Sequence, residues 1–81
     1  MPGEEWTYEQ SAGRPVAHGT LDGYALYVID HQRSETPVRW YVRRVGMFFY
    51  RAQGEACTLA EGQRAAAAAA GMLISEEART R

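Results

Sequence analysis

The chain predicts a small α+β domain, in which an antiparallel β-sheet of three to five strands, wound as a meander, is covered on one face by one C-terminal α-helix. Three observations carry that reading. Between Val16 and Ala52 short apolar runs are separated by Gly, Pro and polar residues, and Val38-Arg39-Trp40-Tyr41-Val42-Arg43 alternates at period two, as a strand with one buried face does. Asp22-Gly23 joins two such runs, the strongest short-range hairpin signal. From Thr58 onward the period becomes helical and residues 65–70 are uninterrupted alanine, the best helix former.

Taken in order, Glu4–Gln10 sets Trp6 and Tyr8 among polar neighbours and reads as a short strand or an extended arm. Ser11–Pro15 reads as a loop, Val16–Leu21 as a second short strand, with Gly19 suggesting a bulge or an edge. Tyr24–His31 is the clearest strand, rich in aromatic and β-branched residues. Its two faces are Tyr24, Leu26, Val28 and Ala25, Tyr27, Ile29. Gln32–Pro37 is a polar loop. Val38–Val45 follows as the central strand, with Val38, Trp40 and Val42 facing inward. Gly46-Met47 turns the chain, Phe48–Ala52 closes the meander, and Gln53-Gly54-Glu55 is a break.

Thr58 and Glu61 form a capping box at a helix start. Leu59, Gly62, Ala66, Ala69, Ala70 and Leu73 share one helical face, with Glu61 and Arg64 within pairing reach on the other. The helix is expected to end near Gly71, Leu73 or Ile74. Ser75-Glu76-Glu77 reads as a short second start, and Ala78–Arg81 as a frayed tail. The organisation is thus a single domain over 1–81: residues 1–15 as N-terminal arm or edge strand, 16–52 as meander, 58–74 as helix and 75–81 as tail.

At 81 residues the chain holds one domain with a thin core. The apolar share of 46% marks it as folded, and a formal net charge of −1 gives no overall pull toward nucleic acid or anionic lipid. All nine basic residues are arginine, which reads first as codon usage in a GC-rich genome. A single cysteine excludes an internal disulfide and argues for a reducing compartment. The acidic start and the lack of a long apolar run predict neither a secretion signal nor a membrane span, and hence a cytoplasmic protein.

No catalytic or metal signature stands out. Cys57, just ahead of the capped helix, is expected to be a buried small apolar residue. His18 and His31 have no partner at ligand or triad spacing, and no cofactor is implied. An enzyme is therefore not expected. The informative residues are Arg39, Arg43, Arg44 and Arg51, which fall in a stretch without a single acid. Arg39, Tyr41 and Arg43 share one strand face, on which Tyr27 of the preceding strand can also lie. Arginine and tyrosine are enriched at binding hot spots, so Arg39, Tyr41, Arg43, Arg51 and Tyr27 are the candidate partner-binding residues.

From Tyr24 to Leu73 the chain resembles the later part of a double-stranded-RNA-binding domain: three strands, then G-E-A-C-T-L-A-E-G-Q-R-A-A-A-A-A-A-G-M-L where that family has an alanine-rich helix. The positions of that family's phosphate-gripping lysines hold Leu59, Ala60, Glu61 and Gly62, and its leading helix has no counterpart. In size and lone-domain architecture the chain also resembles short phage and prophage proteins, some of which inhibit bacterial CRISPR defence complexes. That resemblance implies a protein that works by occupying a surface. The expected function is accordingly a small non-enzymatic binding protein, of the phage or mobile-element inhibitor type, acting on a protein or ribonucleoprotein complex of the host. The alternative is a nucleic-acid-binding module using the Arg/Tyr sheet face.

Overall fold

A computed structural model describes residues 5–32 and 35–80. Met1–Glu4, residues 33–34 and Arg81 lie outside the described residues, and with them the start of the N-terminal arm and the end of the tail. Five antiparallel strands, β1 (Glu5–Ser11), β2 (Arg14–Leu21), β3 (Tyr24–Asp30), β4 (Val38–Arg44) and β5 (Ala52–Ala56), form one sheet in sequence order. Helix α1 (Leu59–Arg79) crosses one face and packs on β2, β3, β4 and β5. This is the α+β meander with a C-terminal helix that the alternation and the change of period predict.

Two tight turns set the register of the first three strands. Asp22 and Gly23 both have positive φ, as do Ala12 and Gly13, the pairing a two-residue type I′ hairpin requires. The second turn absorbs what reads as a Ser11–Pro15 loop, so Arg14 and Pro15 already belong to β2 and the N-terminal segment joins the sheet as an edge strand. The middle strand is β3, one place away from the expected Val38 strand.

The helix-facing residues build the core. Tyr24, Leu26 and Val28 from β3, Val38 and Val42 from β4, and Ala17 from β2 are buried against Ala66 and Ala70. Small residues on the helix let its axis approach closely, so the space is filled from the sheet side. Both tryptophans lie over a glycine directly opposite on a neighbouring strand: Trp6 over Gly19 and Trp40 over Gly54. A Cβ on Gly54 would stand 2.5 Å from Trp40 Cζ2, and one on Gly19 would stand 2.8 Å from Trp6 Cε3. Neither glycine is a bulge or a break. Gly54 lies inside β5 because the indole covers it, restoring the apolar surface that a glycine strand lacks. Trp40 is accordingly half-buried against the core rather than inside it.

Two further expectations are corrected. Phe48–Tyr50 is not strand but part of an irregular loop, 45–51, and the closing strand is Ala52–Ala56. Helix α1 does not stop near Gly71 but continues to Arg79 with Thr80 as C-cap. Its last turns are held by a tertiary contact: Glu77 accepts hydrogen bonds from the buried Tyr24 hydroxyl and from Arg44 Nη1, the latter at 2.7 Å. The Tyr24 hydrogen bond and then the Arg44 guanidinium hold the Glu77 carboxyl below its ordinary value. A carboxyl lowered by folding stabilises the fold above its unfolded pKa and stops doing so as pH falls through the folded one. The difference in melting temperature between wild type and Glu77→Gln is therefore expected to be present at neutral pH and to vanish in acid below the usual carboxylate range. Thermal melts of both proteins across that interval check it; a difference that does not change with pH would show that the carboxylate charge is idle.

Candidate binding face

At the helix N-terminus, Thr58 Oγ1 accepts from Glu61 N–H at 3.1 Å. Glu61 Oε1 reaches back past the cap to accept from Cys57 N–H at 3.2 Å, a variant of the box shifted by one residue, instead of pairing with Arg64. Cys57 itself is exposed, which corrects the expectation of burial. Its strand-end position, just outside the helix, puts it beyond the cover of α1.

The face away from the helix is set by the strand register. Alternation gives it Glu5, Thr7, Glu9 and Ser11 from β1, then Arg14, Val16, His18 and Thr20 from β2, then Ala25, Tyr27 and Ile29 from β3. It continues with Arg39, Tyr41 and Arg43 from β4 and Gln53 and Glu55 from β5. At one end Val16 and Ile29, opposite each other, are buried, so this face also has a small apolar seat of its own.

Across the middle runs a row of rings. His18, Tyr27 and Tyr41 are direct cross-strand neighbours. Their ring centroids are 5.0 Å apart for His18 and Tyr27, at 64°, and 6.0 Å apart for Tyr27 and Tyr41. Tyr50, arriving from the 45–51 loop, extends the row by packing 4.6 Å from Tyr41. Glu9 contacts His18 Nε2 at the β1 end. Burial, then the nearby Tyr50, Glu9 and Tyr41, push the Tyr27 hydroxyl above its ordinary value. It stays neutral and available for hydrogen bonding rather than as a base.

The arginines divide. Arg39 pairs across strands with Glu55 at 3.2 Å, both half-exposed. An exposed pair of this kind contributes at most about 1 kcal/mol, so it is readily exchanged for another carboxylate. Arg43 Nη1 donates to the Met47 carbonyl at 3.0 Å, which leaves its charge without a carboxylate in ion-pair range among the described residues. Arg51 is not on this face: its Nη1 lies 4.0 Å from Glu77, beside Arg44 on the helix side. Of the five candidate residues, Tyr27, Arg39, Tyr41 and Arg43 are thus brought together and Arg51 is not.

His18, Tyr50 and the apolar loop escape the sequence reading. His18 and Glu9 could have been joined by the Ala12-Gly13 turn, whose register sets Glu9 diagonal to His18. The loop had a signal in Met47-Phe48-Phe49-Tyr50, four large residues with no period-two alternation. Phe48 is 99% exposed, and Val45 and Phe49 are 61% exposed each.

Among the described residues no group of three or more His, Cys, Asp or Glu side chains could hold a metal ion, and no helix is long and apolar enough to cross a membrane. Compared with known proteins, the chain matches no family model, no curated protein and no solved structure.

Proposed function

We propose that this is a non-enzymatic binding protein that docks its helix-free sheet face on an acidic surface of a protein or ribonucleoprotein partner, in the manner of a mobile-element inhibitor of a host defence complex. The observation that carries the reading is the His18–Tyr27–Tyr41–Tyr50 row flanked by Arg39 and Arg43. Tyrosine rings offer rigid amphipathic contact area at low entropic cost, and guanidinium groups offer forked donors to carboxylates. Charge favours a protein over nucleic acid. Three arginines on this face, Arg14, Arg39 and Arg43, stand against Glu5, Glu9 and Glu55, whereas phosphate binding calls for a surplus of cations.

The test is a calorimetric titration of candidate host complexes with wild type and with the double variant Arg39→Gln, Arg43→Gln. The variant is expected to melt within a few degrees of wild type, since exposed charges shift stability by less than about 0.5 kcal/mol each. It is expected to lose affinity by about ten-fold or more, in line with removal of hot-spot arginines. Unchanged affinity would remove the face from the binding surface. Affinity for bare single-stranded oligonucleotides that falls log-linearly with salt would replace the protein partner by nucleic acid.

A further inference from the structure

The two edges of the sheet differ. β5 is five residues long, α1 packs on it, and Glu55 is already engaged by Arg39 and Thr36. β1 is seven residues long, pairs with β2 in unbroken register and has no lysine, proline or bulge to blunt it. No described strand lies on its other side. The Ala12-Gly13 turn decides where its backbone groups point. Ser11 and Arg14 flank a two-residue turn and so form a hydrogen-bonded pair, and Glu9, Thr7 and Glu5 bond to β2 after them. Tyr8 and Gln10 take the alternate positions and aim their N–H and C=O at the open edge. On the helix side the backbone of α1 approaches β2–β5 but not β1. Gln63 Nε2 spans the gap, donating to the Tyr8 hydroxyl at 2.9 Å. Beside that bond a groove of about 560 Å³ is lined by Trp6, Ala60, Gln63, Arg64, Ala67 and Ala68.

We infer that β1 accepts a sixth strand, an extended segment of a partner protein that is apolar on its helix side and basic on its helix-free side. A strand laid about 4.8 Å beyond β1 takes up the outward groups of Tyr8 and Gln10. Its side chains then alternate between two settings. Those level with Tyr8 and Gln10 lie on the helix side, beside the groove, where Ala60, Ala67 and Ala68 leave room for large apolar groups. Those level with Glu5, Thr7 and Glu9 lie on the helix-free side, where opposite charges across strands attract. Glu5 has no cation in ion-pair range among the described residues, and Glu9 meets the partly exposed His18. Backbone, groove and charge thus select one chemistry, an alternating apolar and basic segment. A second copy does not match it: two β1 strands side by side would set four acids, Glu5 and Glu9 from each, along one seam. The edge lies apart from Arg39 and Arg43 on β4, so this site and the sheet face can be filled independently.

The test is a calorimetric titration of the full chain with an end-blocked peptide about seven residues long that alternates arginine and valine, enough to span β1. The peptide is expected to bind and to slow amide exchange at Tyr8 and Gln10, leaving β5 unaffected. The same residues in two blocks, arginines then valines, cannot sort charge to one side and should bind about ten-fold more weakly or worse. N-methylation at the bonding positions should abolish binding, since main-chain hydrogen bonds carry strand addition. Gln10→Pro removes an outward N–H without taking a bond from β2, and is expected to weaken binding about five-fold or more. Glu5→Lys with Glu9→Lys should weaken it about ten-fold or more. Melts check that both variants fold. Equal binding of the alternating and block peptides overturns the inference in favour of plain charge attraction, and protection at β5 moves strand addition to the other edge. An alternating peptide that does not bind overturns it too, and leaves Glu5 and Glu9 as guards that keep the edge unpaired. All these variants retain Arg39 and Arg43, so this reading and the proposed function can each fail alone.

Discussion

Trp40→Ala is expected to destabilise the protein by about 3 kcal/mol, the lower end of the range for emptying a large aromatic site, because the ring is half-buried and not enclosed. In a domain of this size that corresponds to a fall of about 15–20 °C in melting temperature. The contact at stake is specific. The indole lies where a Gly54 Cβ would be, 2.5 Å from Cζ2, so Gly54→Ala must push the ring off its seat and is expected to cost about 1–3 kcal/mol. The two costs are not additive. With Trp40 already gone, an alanine at position 54 meets no ring and restores strand propensity, so Gly54→Ala should then be neutral or slightly stabilising. A double-mutant cycle by denaturant unfolding measures this directly. An equal cost of Gly54→Ala in both backgrounds would show that the ring is not seated on β5.

That pair also shows which parts of the fold were legible. Alternation, hairpin pairs and the capping box are local signals, and they locate β2, β3, β4 and the helix start. Gly54 reads locally as a break because the compensating indole comes from another strand, fourteen positions away in sequence. The end of the helix misled in the same way. Gly71 and Ser75 weaken it locally, but Glu77 reaches Tyr24 and Arg44 across the fold, and that contact outweighs propensity. The candidate face was legible where one strand supplied it, in Arg39, Tyr41 and Arg43. Arg51 left it because the loop before β5 turns its side chain toward Glu77, and Tyr50 joined it for the same reason. The irregular backbone of 45–51 has no period from which either outcome could be read.

Gly62 and Gly71 occupy the same helix, and substitution by alanine is expected to have opposite effects. Intrinsic propensity alone favours alanine at both by about 0.8–1 kcal/mol. At Gly71 a Cβ would meet nothing within 4 Å, so Gly71→Ala should stabilise by about 0.4–1 kcal/mol, chiefly by restricting the unfolded chain. At Gly62 the helix comes closest to the sheet. A Cβ there would stand 2.7 Å from Val28 Cγ1 and 2.8 Å from Val38 Cγ1. Both valines are fully buried, and a β-branched side chain has no spare rotamer into which to retreat. The helix must therefore lift from β3 and β4, and overpacking of this kind costs about 1–3 kcal/mol, more than the propensity gain. Gly62→Ala should thus lower the melting temperature while Gly71→Ala raises it, and the double variant should equal the sum, since the two sites share no neighbour. If Gly62→Ala stabilises as Gly71→Ala does, the helix has room to shift, and the close approach at Gly62 is not what seats α1 on the sheet.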